Sequence, residues 1–347
     1  MKPKRLWAGL LCAVLLLMMQ GCAAAAPSSA AALPQTSSAP LQTLVVYTSH
    51  PPELYAPLIA EFEERTGIWV DVVTGGTQEL IAKMSDPETV PAADILFGGG
   101  VDSLEAAKEL FEPYQCPETD ALAEEVAQNA EGRWNPFSAA PLVLVYNTKL
   151  IGAKYAPLSW NSLLGSRWQG RIAFANPEIS GSSYTALATM SQLYGADYIA
   201  EFAENLGGNL LESSGEALEK VADGTFPIGI AQESTVKQKM AEGANLNYVY
   251  PHDGTGIVPD GIAIAAGTEQ PENARQFVDY MLSADVQAYL AQQLGRASVR
   301  ADLAGAEPEA LNNQWKMEYD IKAAAEEKED LLRVWKTSYA AAQEGAS

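Results

Sequence analysis

Hydrophobic and polar positions follow two different periods along the first part of the chain. The stretches TLVVYTSH (43–50) and ADILFGGG (93–100) are short apolar runs that end in polar or glycine-rich turns, a pattern typical of β-strands. Between them, apolar residues recur four positions apart at Leu54, Leu58 and Phe62, which predicts an amphipathic helix. Strands that alternate with helices predict a parallel sheet, and the loops at the carboxyl ends of its strands are expected to face a ligand.

The pattern changes after Glu131. PLVLVYNTKL (141–150) is a continuous apolar strand, and FPIGIA (226–231) predicts a further strand between two helices. GIAIAAG (261–267) looks like a return crossing, and the amphipathic pattern of residues 271–293 predicts a long helix. The fold class we expect is therefore α/β with two lobes, the first interrupted by the second, and a ligand cleft between them.

The chain begins with features of a bacterial export signal. A basic start, MKPKR, precedes an apolar run that is too short to favour a membrane span. Residues 19–22 (MQGC) resemble a lipobox, in which the cysteine, here Cys22, is diacylated; an ordinary signal peptide cut within residues 23–26 is the alternative. The uncharged residues up to 43 predict a flexible tether. We expect an extracytoplasmic protein that a lipid anchors to the cell membrane.

The predicted domain organisation has five segments. They are a signal peptide (1–21), a lipid-anchored linker (22–43), the first part of lobe 1 (44–140), lobe 2 (141–260), and a return to lobe 1 with the C-terminal helices (261–347).

Charge and cysteine content narrow the function classes. The chain has 22 lysine and arginine residues against 44 aspartate and glutamate residues, so it is expected to be a poor nucleic-acid binder. Its cysteines are Cys12, Cys22 and Cys116, and the first two precede the folded part. The folded part therefore contains neither an intrachain disulfide nor a cysteine zinc cluster.

The segment FANPEISGSSYTALATMSQLYG (174–195) places several hydroxyl groups at the start of a predicted helix. One interpretation is capping, in which a serine satisfies the free amides of the first turn and the other serines keep the loop soluble. The other is an anion site, because free N–H groups and the positive end of the helix dipole attract phosphate or carboxylate. From this segment alone both interpretations stay open.

Several longer segments occur in the order seen in one protein family. They include ADILFGGGVDS, LVLVYNTKL, SWNSLLGSRWQGRIAFANPEISGSSYTALA, ESSGEALEKVADGTFPIGIA and YPHDGTGIVPDGIAIAAG. From about residue 44 to residue 339, the chain resembles the bacterial extracellular solute-binding proteins of ABC importers, in the branch that binds ferric ion, phosphorylated solutes or phosphonates.

The resemblance implies the type II periplasmic-binding-protein fold and capture of a small anionic solute, a phosphate ester or phosphonate, for delivery to membrane permease subunits. We expect the cleft to close by hinge motion at crossovers near residues 142–146 and 258–264. A monomer without catalysis, cofactor or resident metal is implied.

The resemblance also suggests ligand-binding residues. Phosphorylated-solute members carry a phosphate-binding motif like NP-x-x-SG-[ST]-x-Y, which this chain matches at residues 176–184. In neighbouring loops, Glu233 and Asp253 are either solvated acids or acids opposite the anion that select a zwitterion such as an aminoalkylphosphonate. The predicted ligand-binding residues are Ser49, His50, Gly98, Gly99, Ser180, Gly181, Ser182, Ser183, Tyr184, Ser214, Gly215, Glu233 and Asp253.

A ferric-ion-binding protein of an iron importer is the first alternative. Ferric members offer an adjacent tyrosine pair after the strand that matches FPIGIA, where this chain has QEST (232–235). His50 matches a position from which some ferric members offer a histidine, so metal binding stays open. Several sugar-phosphate binders carry a His-Asp pair in place of Gln232 and Glu233, which disfavours a sugar phosphate.

A secreted serine hydrolase is the distant alternative. The S-x-x-K pattern at residues 234–237 lacks its companion motifs, and only His50 and His252 are available as imidazole bases. We therefore expect a binding protein and no enzyme.

Overall fold

A computed structural model of the chain describes residues 43–86, 88–124, 126, 131–139, 141–208, 210–303 and 315–346. The predicted signal peptide, the lipidation candidate Cys22 and all of the predicted linker except residue 43 lie outside these residues. Within the described ranges, no helix combines the length and the apolar composition that a membrane crossing requires.

The described strands form two sheets. In chain order the strands are β1 (Thr43–Thr48), β2 (Trp69–Thr74), β3 (Ile95–Gly100), β4 (Asn135–Ala139), β5 (Leu142–Asn147), β6 (Ile172–Ala175), β7 (Leu210–Leu211), β8 (Ile228–Gln232), β9 (Leu246–Val249), β10 (Pro259–Ile264) and β11 (Ala297–Ser298). The first sheet has the order β11-β4-β10-β3-β1-β2, and the second has the order β7-β6-β8-β5-β9. The second lobe is thus inserted between β4 and β10 of the first, as the sequence predicts.

Helices cover both sheets. In chain order they are α1 (Pro52–Thr66), α2 (Thr77–Ser85), α3 (Val101–Ala106), α4 (Gly181–Tyr194), α5 (Ala196–Asn205), α6 (Ser214–Ala222), α7 (Glu233–Ala241), α8 (Pro271–Leu282), α9 (Ala284–Gln293), α10 (Ile321–Glu326) and α11 (Lys328–Ala346). Short 3-10 helices occupy Lys108–Leu110, Pro117–Ala121, Ala153–Tyr155, Asn161–Leu164 and Ser166–Trp168.

Each sheet has one half with parallel strands and one half with antiparallel strands. In the first lobe β1 is parallel to β2 and β3, whereas the returning strand β10 is antiparallel to β3 and β4. In the second lobe β6 is parallel to β7 and β8, whereas β5 is antiparallel to β8 and β9. The parallel strands carry the loops that lead into α1, α2, α3, α4 and α6, and these loops gather at the cleft.

Each lobe has its own aromatic core. In the first lobe, the ring of Phe97 packs edge-on against Phe137 at a centroid distance of 4.7 Å and against Phe277 at 5.7 Å. In the second lobe, Phe174 packs edge-on against Phe202 at 5.2 Å and against Trp335 at 5.7 Å. Because Trp335 belongs to α11, the last helix completes the core of the second lobe.

The C-terminal segment also lies along the crossover between the lobes. The chain passes from β9 to β10 through residues 250–258, and there the Thr255 amide donates to the Trp315 carbonyl oxygen at 2.9 Å. The Met317 amide returns a hydrogen bond to the Thr255 carbonyl oxygen at 3.1 Å. Residues 315–317 therefore form an extra backbone connection just before the predicted crossover near residues 258–264.

Candidate ligand-binding site

A cavity of ≈ 290 Å³ lies between the two lobes. Its lining from the first lobe consists of residues 48–51, 74–77, Gly99 and Asp260, and its lining from the second lobe consists of residues 180–182, 212–215, Gln232 and Thr235. The inner end is formed by buried residues such as Thr48 and Asp260, whereas Thr74 and Glu212 at the other end are exposed. The cavity therefore extends from buried polar groups to solvent-exposed residues.

The serine-rich segment forms the start of α4 on one wall. Ser180 is the N-cap residue, and its Oγ accepts a long hydrogen bond of 3.4 Å from the amide of Ser183. Its Oγ also lies 3.3 Å from Ser182 Oγ, which lines the cavity. The amides of Gly181 and Ser182 donate to no residue that the structure describes. Ser180 thus caps the helix, whereas Gly181 and Ser182 provide free amide donors.

The start of α6 adds a second group of free donors. Ser213 caps this helix by accepting a hydrogen bond from the Glu216 amide at 3.1 Å. The following residues, Ser214 and Gly215, line the cavity, and their amides bond to nothing in the described part of the chain. Two helix N-termini from the second lobe therefore present unpaired amides to the same cavity.

Thr77, the first residue of α2, joins the two lobes across the cleft. Its side chain is buried between two glycines: a Cβ on Gly99 would lie 2.3 Å from Thr77 Cγ2, and a Cβ on Gly181 would lie 2.6 Å from Thr77 Oγ1. Next to it, the Gln78 amide donates to the Ile179 carbonyl oxygen of the second lobe at 3.1 Å. Glycine is required at both positions for this close approach. The glycines can be recognised in the sequence, but the sequence does not show that Thr77 is the residue that approaches them.

His50 lies against the aromatic core at the inner end of the cavity. Its ring centroid is 4.7 Å from that of Phe97 and 5.8 Å from that of Phe137. Burial, and then the charge of Arg296, lower the pKa of His50 well below its ordinary value of 6.5. Its Nε2 atom is buried without a hydrogen-bond partner among the described residues. The imidazole is therefore neutral at physiological pH.

Asp260 supplies a buried carboxylate to the cavity wall. Its Oδ2 atom pairs with Nη2 of Arg296, whose Nε donates to Ser138 Oγ at 3.1 Å. Gln232 of the second lobe lies with its Nε2 3.4 Å from Asp260 Oδ1. Burial raises the pKa of this carboxyl, and Arg296 opposes that shift. The sequence carries no local signal for the pair, since Asp260 and Arg296 are far apart along the chain.

Comparison of the sequence with known families identifies the family of this chain. Residues 91–321 match the family described as bacterial extracellular solute-binding protein. The chain belongs to this family. Its members are binding proteins, so this solute-binding protein is the substrate-binding component of an ABC importer: it takes a small solute outside the cytoplasm and has permease subunits as partners.

Relatives of this solute-binding protein differ in the solute that they are named for. Iron uptake protein A1 of Synechocystis sp. is 26% identical over 269 residues, which cover 72% of this chain and 74% of that protein. A Salmonella typhimurium periplasmic protein named for 2-aminoethylphosphonate binding is 25% identical over 262 residues, covering 70% and 73%.

A solved structure shares the fold of this solute-binding protein. The periplasmic binding protein AfuA from Actinobacillus pleuropneumoniae, with fructose-6-phosphate bound, has a TM-score of 0.78 and 24% identity. The match covers 86% of this chain and 99% of that chain. The prediction of a two-lobe α/β fold is confirmed.

The cavity of this solute-binding protein contains most of the residues predicted to bind its ligand. Those that line it are Ser49, His50, Gly99, Ser180, Gly181, Ser182, Ser214 and Gly215. Gly98 lies beside the cavity, where a Cβ would come within 3.0 Å of His50 Nε2. Lining residues that the prediction did not include are Thr48, Pro51, Thr74, Gly75, Gly76, Thr77, Glu212, Ser213, Gln232, Thr235 and Asp260. Residues 74–77 follow the carboxyl end of the parallel strand β2, a position at which the sequence analysis expects loops to face a ligand.

Four predicted site residues do not line the cavity, and their side chains or amides contact other parts of the protein. Asp253 accepts hydrogen bonds from the amides of Trp160 at 3.0 Å and Asn161 at 3.1 Å, so it fixes a turn of the second lobe. The hydroxyl of Tyr184 donates to the carbonyl oxygen of Ala324.

The other two are Glu233 and Ser183. The carboxylate of Glu233 is buried, accepts from the hydroxyl of Tyr250 and pairs with Lys237 Nζ at 2.7 Å. Ser183 is buried behind Ser182, and its amide donates to the cap. Glu233 thus has a local partner in Lys237, whereas the donors to Asp253 lie far away in the sequence, at residues 160 and 161.

Proposed function

We propose that this cavity binds a small solute through a phosphate or phosphonate group. The observation that carries the proposal is the pair of helix N-termini, α4 and α6, whose free amides and serine hydroxyls face one cavity. Such N–H groups, together with the positive end of the helix dipole, are suited to a tetrahedral anion. In this arrangement Ser182 and the amides of residues 181, 182, 214 and 215 hold the anionic group.

The size and charge of the lining favour a small ligand with a single anionic group. The cavity of ≈ 290 Å³ is at the lower end of the range of about 300–1,000 Å³ for small-molecule pockets. The described lining residues include neither lysine nor arginine, so the anion is held by uncharged donors. Such donors are oriented by the helices before the ligand arrives and need no counter-charge in the empty site.

Asp260 suggests what the rest of the ligand contains. It is the buried carboxylate of the lining, and it is charge-balanced by Arg296 behind it. A ligand ammonium group beside Asp260 would add a charge-assisted hydrogen bond at the end of the cavity where the carboxylate is already desolvated. This role, expected from the sequence for Glu233 or Asp253, is therefore assigned to Asp260, and a zwitterionic aminoalkylphosphonate is the preferred candidate.

A ferric ion is the second candidate, because an iron uptake protein is among the relatives. The lining offers His50, Glu212 and Asp260 as ligands of the required type. Among the residues that the structure describes, no three His, Cys, Asp or Glu side chains are grouped closely enough to hold a metal ion. The donor set therefore favours the anion over the metal.

Binding assays with a small ligand panel test the proposal. Thermal shift and calorimetric titration would compare 2-aminoethylphosphonate, inorganic phosphate, ethanolamine and ferric citrate. A ligand at about 100 times its dissociation constant stabilises the protein by ~2.7 kcal/mol. We expect stabilisation by 2-aminoethylphosphonate and none by ethanolamine, which lacks the anion. Tight binding of ferric ion with no response to phosphate or phosphonate would refute the proposal in favour of the second candidate.

We also propose that Cys22 carries a lipid anchor, that the protein is a monomer, and that the domain boundaries are those predicted from the sequence except that the return to lobe 1 begins at β10 (Pro259–Ile264) and not at residue 261. The apolar run that ends in Gly21 and Cys22, followed by an uncharged tether, supports the anchor.

A further inference from the structure

A buried polar cluster joins the two lobes behind the cavity. We call it the interlobe cluster and define it as Asp102, Thr185, Tyr319, Lys328 and Gln78. Asp102 belongs to α3 of the first lobe and its side chain is completely buried, with 0% exposure. Its Oδ2 accepts hydrogen bonds from Thr185 Oγ1 at 2.8 Å and from the Tyr319 hydroxyl at 2.7 Å.

The Thr185 bond connects this carboxylate to the anion site. Thr185 lies in the first turns of α4, the second-lobe helix that starts with the cavity residues Gly181 and Ser182. The approach is close, because a Cβ on Gly100 would lie 2.5 Å from Asp102 Oδ1 and 2.9 Å from Thr185 Oγ1. A bond between the lobes at this point fixes the position of the α4 N-terminus relative to the first lobe.

Lys328 of the C-terminal segment contacts one residue from each lobe. Lys328 Nζ donates to Gln78 Oε1 at 2.5 Å, and Gln78 Nε2 donates to Ser103 Oγ at 2.9 Å. The same Lys328 ammonium lies 5.2 Å from the ring centroid of Tyr184 in α4. Gln78 is the second residue of α2, so one lysine contacts the helices that begin at both walls of the cavity.

The charges of the cluster stabilise one another inside the protein. Burial lowers the pKa of Lys328 to about 8, while the Asp102 charge acts in the opposite direction. Burial likewise raises the pKa of Asp102, opposed by the hydrogen bonds of Tyr319 and Thr185 and by the charge of Lys328. Removing one partner leaves a desolvated group without its donor, which is costly in a buried network.

We propose that Asp102 is a positioning residue, which through Thr185 in the second lobe and Tyr319 and Lys328 in the C-terminal segment stabilises the closed arrangement of the lobes. It does not line the cavity. When the lobes separate, the bond between Asp102 and Thr185 breaks, so the cluster favours the arrangement in which α2 and α4 face each other across the cavity. This inference does not depend on which solute is bound.

Thr185→Val tests the proposal, with Thr189→Val as a matched control. Valine has nearly the shape of threonine but no hydroxyl. Thr189 lies one turn later in the same helix and is equally buried, but its Oγ1 donates at 2.8 Å to the Thr185 carbonyl oxygen within α4. Both substitutions remove a buried hydroxyl that lies within hydrogen-bond distance of a carbonyl oxygen of α4, since Thr185 Oγ1 is also 3.2 Å from the Gly181 carbonyl oxygen. Only the Thr185 hydroxyl also bonds across the lobes, to Asp102. Thr185→Ser, which keeps the hydroxyl, is the rescue variant.

The decisive measurement is small-angle X-ray scattering without added ligand. We expect a larger radius of gyration for Thr185→Val than for the wild type, Thr185→Ser and Thr189→Val. Equal values for Thr185→Val and Thr189→Val, or a wild type that is already as open as Thr185→Val, would overturn the proposal. In a double-mutant cycle of the free energy of unfolding, Asp102→Ala and Thr185→Val should be coupled, and simple additivity would count against the bond.

Calorimetric titration with 2-aminoethylphosphonate gives a second readout. Loss of a hydrogen bond to a charged group should weaken binding by about ten-fold or more in Thr185→Val, with little change in Thr189→Val. If the wild type does not bind 2-aminoethylphosphonate, the proposed ligand is wrong, and the scattering comparison still decides the role of Asp102.

Discussion

Ser182 separates the two interpretations of the serine-rich helix start most sharply. It is the second residue of α4, it lines the cavity, and the cap is formed by Ser180 instead. Two substitutions therefore have different expected effects. Ser182→Ala removes one hydroxyl donor, whereas Ser182→Asp adds a fixed negative charge at the point where the proposal places the anion.

The expected magnitudes follow from the geometry. A hydrogen bond to a charged group contributes ~1.5–3 kcal/mol, so Ser182→Ala should weaken phosphonate binding by about ten- to hundred-fold. Two like charges about 4 Å apart at an effective dielectric constant of about 20 repel by ~4 kcal/mol, so Ser182→Asp should weaken binding by about a thousand-fold. The fold should survive, because an acidic residue in the first turn interacts favourably with the helix dipole.

Calorimetric titration of both variants with 2-aminoethylphosphonate, beside their melting curves, is the assay. Ser183→Ala is the matched control, since Ser183 is the next residue and is buried away from the cavity. We expect affinity close to that of the wild type in this control. A stable Ser182→Asp protein with unchanged affinity would refute the anion site at α4, and it would leave the serines with a capping role alone.

Three further predictions concern closure, pH and the anchor. Gly181→Ala places a Cβ 2.6 Å from Thr77 Oγ1, and this overpacking of ~1–3 kcal/mol should weaken ligand binding about ten- to hundred-fold. Adding Thr77→Gly to the same chain should restore the affinity. If calorimetric titration shows no such rescue, the contact between Thr77 and Gly181 is not the cause. Folding lowers the pKa of His50, so below pH 6.5 the unfolded state binds a proton that the folded state does not. The free energy of unfolding should therefore decrease below pH 6.5 by up to ~1.4 kcal/mol per pH unit. Urea unfolding near pH 7 and pH 5 should show a smaller loss in His50→Gln, and equal losses would argue against a buried neutral imidazole. Cys22→Ser should move the protein from the membrane fraction to the soluble fraction on cell fractionation, and retention at the membrane with unchanged processing would argue against lipidation.

The alternation of strands and helices could be predicted because burial imposes it locally. β5 is buried along its whole length and reads as a continuous apolar run, and Leu54, Leu58 and Phe62 of α1 are buried at the predicted spacing. The packing of the last helix could not be predicted in this way. Trp335 lies on an amphipathic helix that fits either lobe by pattern, and only the three-dimensional arrangement brings it to Phe174 in the second lobe.

In the candidate site, too, some residues could be predicted from local sequence and others could not. Backbone-defined positions such as Gly99 and Gly181 could be recognised, because small residues at strand ends and helix starts mark places where groups approach closely. The charged residues that line the cavity could not be recognised from the sequence. Asp253 and Asp260 both lie near the crossover, and nothing local distinguishes the acid that caps a turn at Trp160 from the acid that lines the cavity beside Arg296.

The site connects affinity to the position of the lobes, because its walls come from both. A ligand that requires both walls binds only the closed arrangement, so its apparent dissociation constant is the intrinsic one divided by the fraction of molecules that are closed. On the proposal made above, contacts that join the two lobes, such as Asp102 with Thr185 and Thr77 with Gly181, raise that fraction and tighten binding from outside the ligand's own contacts. The same contacts must break before the solute reaches the permease. Strengthening the interlobe cluster should therefore increase affinity while slowing release, so a binding protein that delivers its solute is best served by a cluster of intermediate strength.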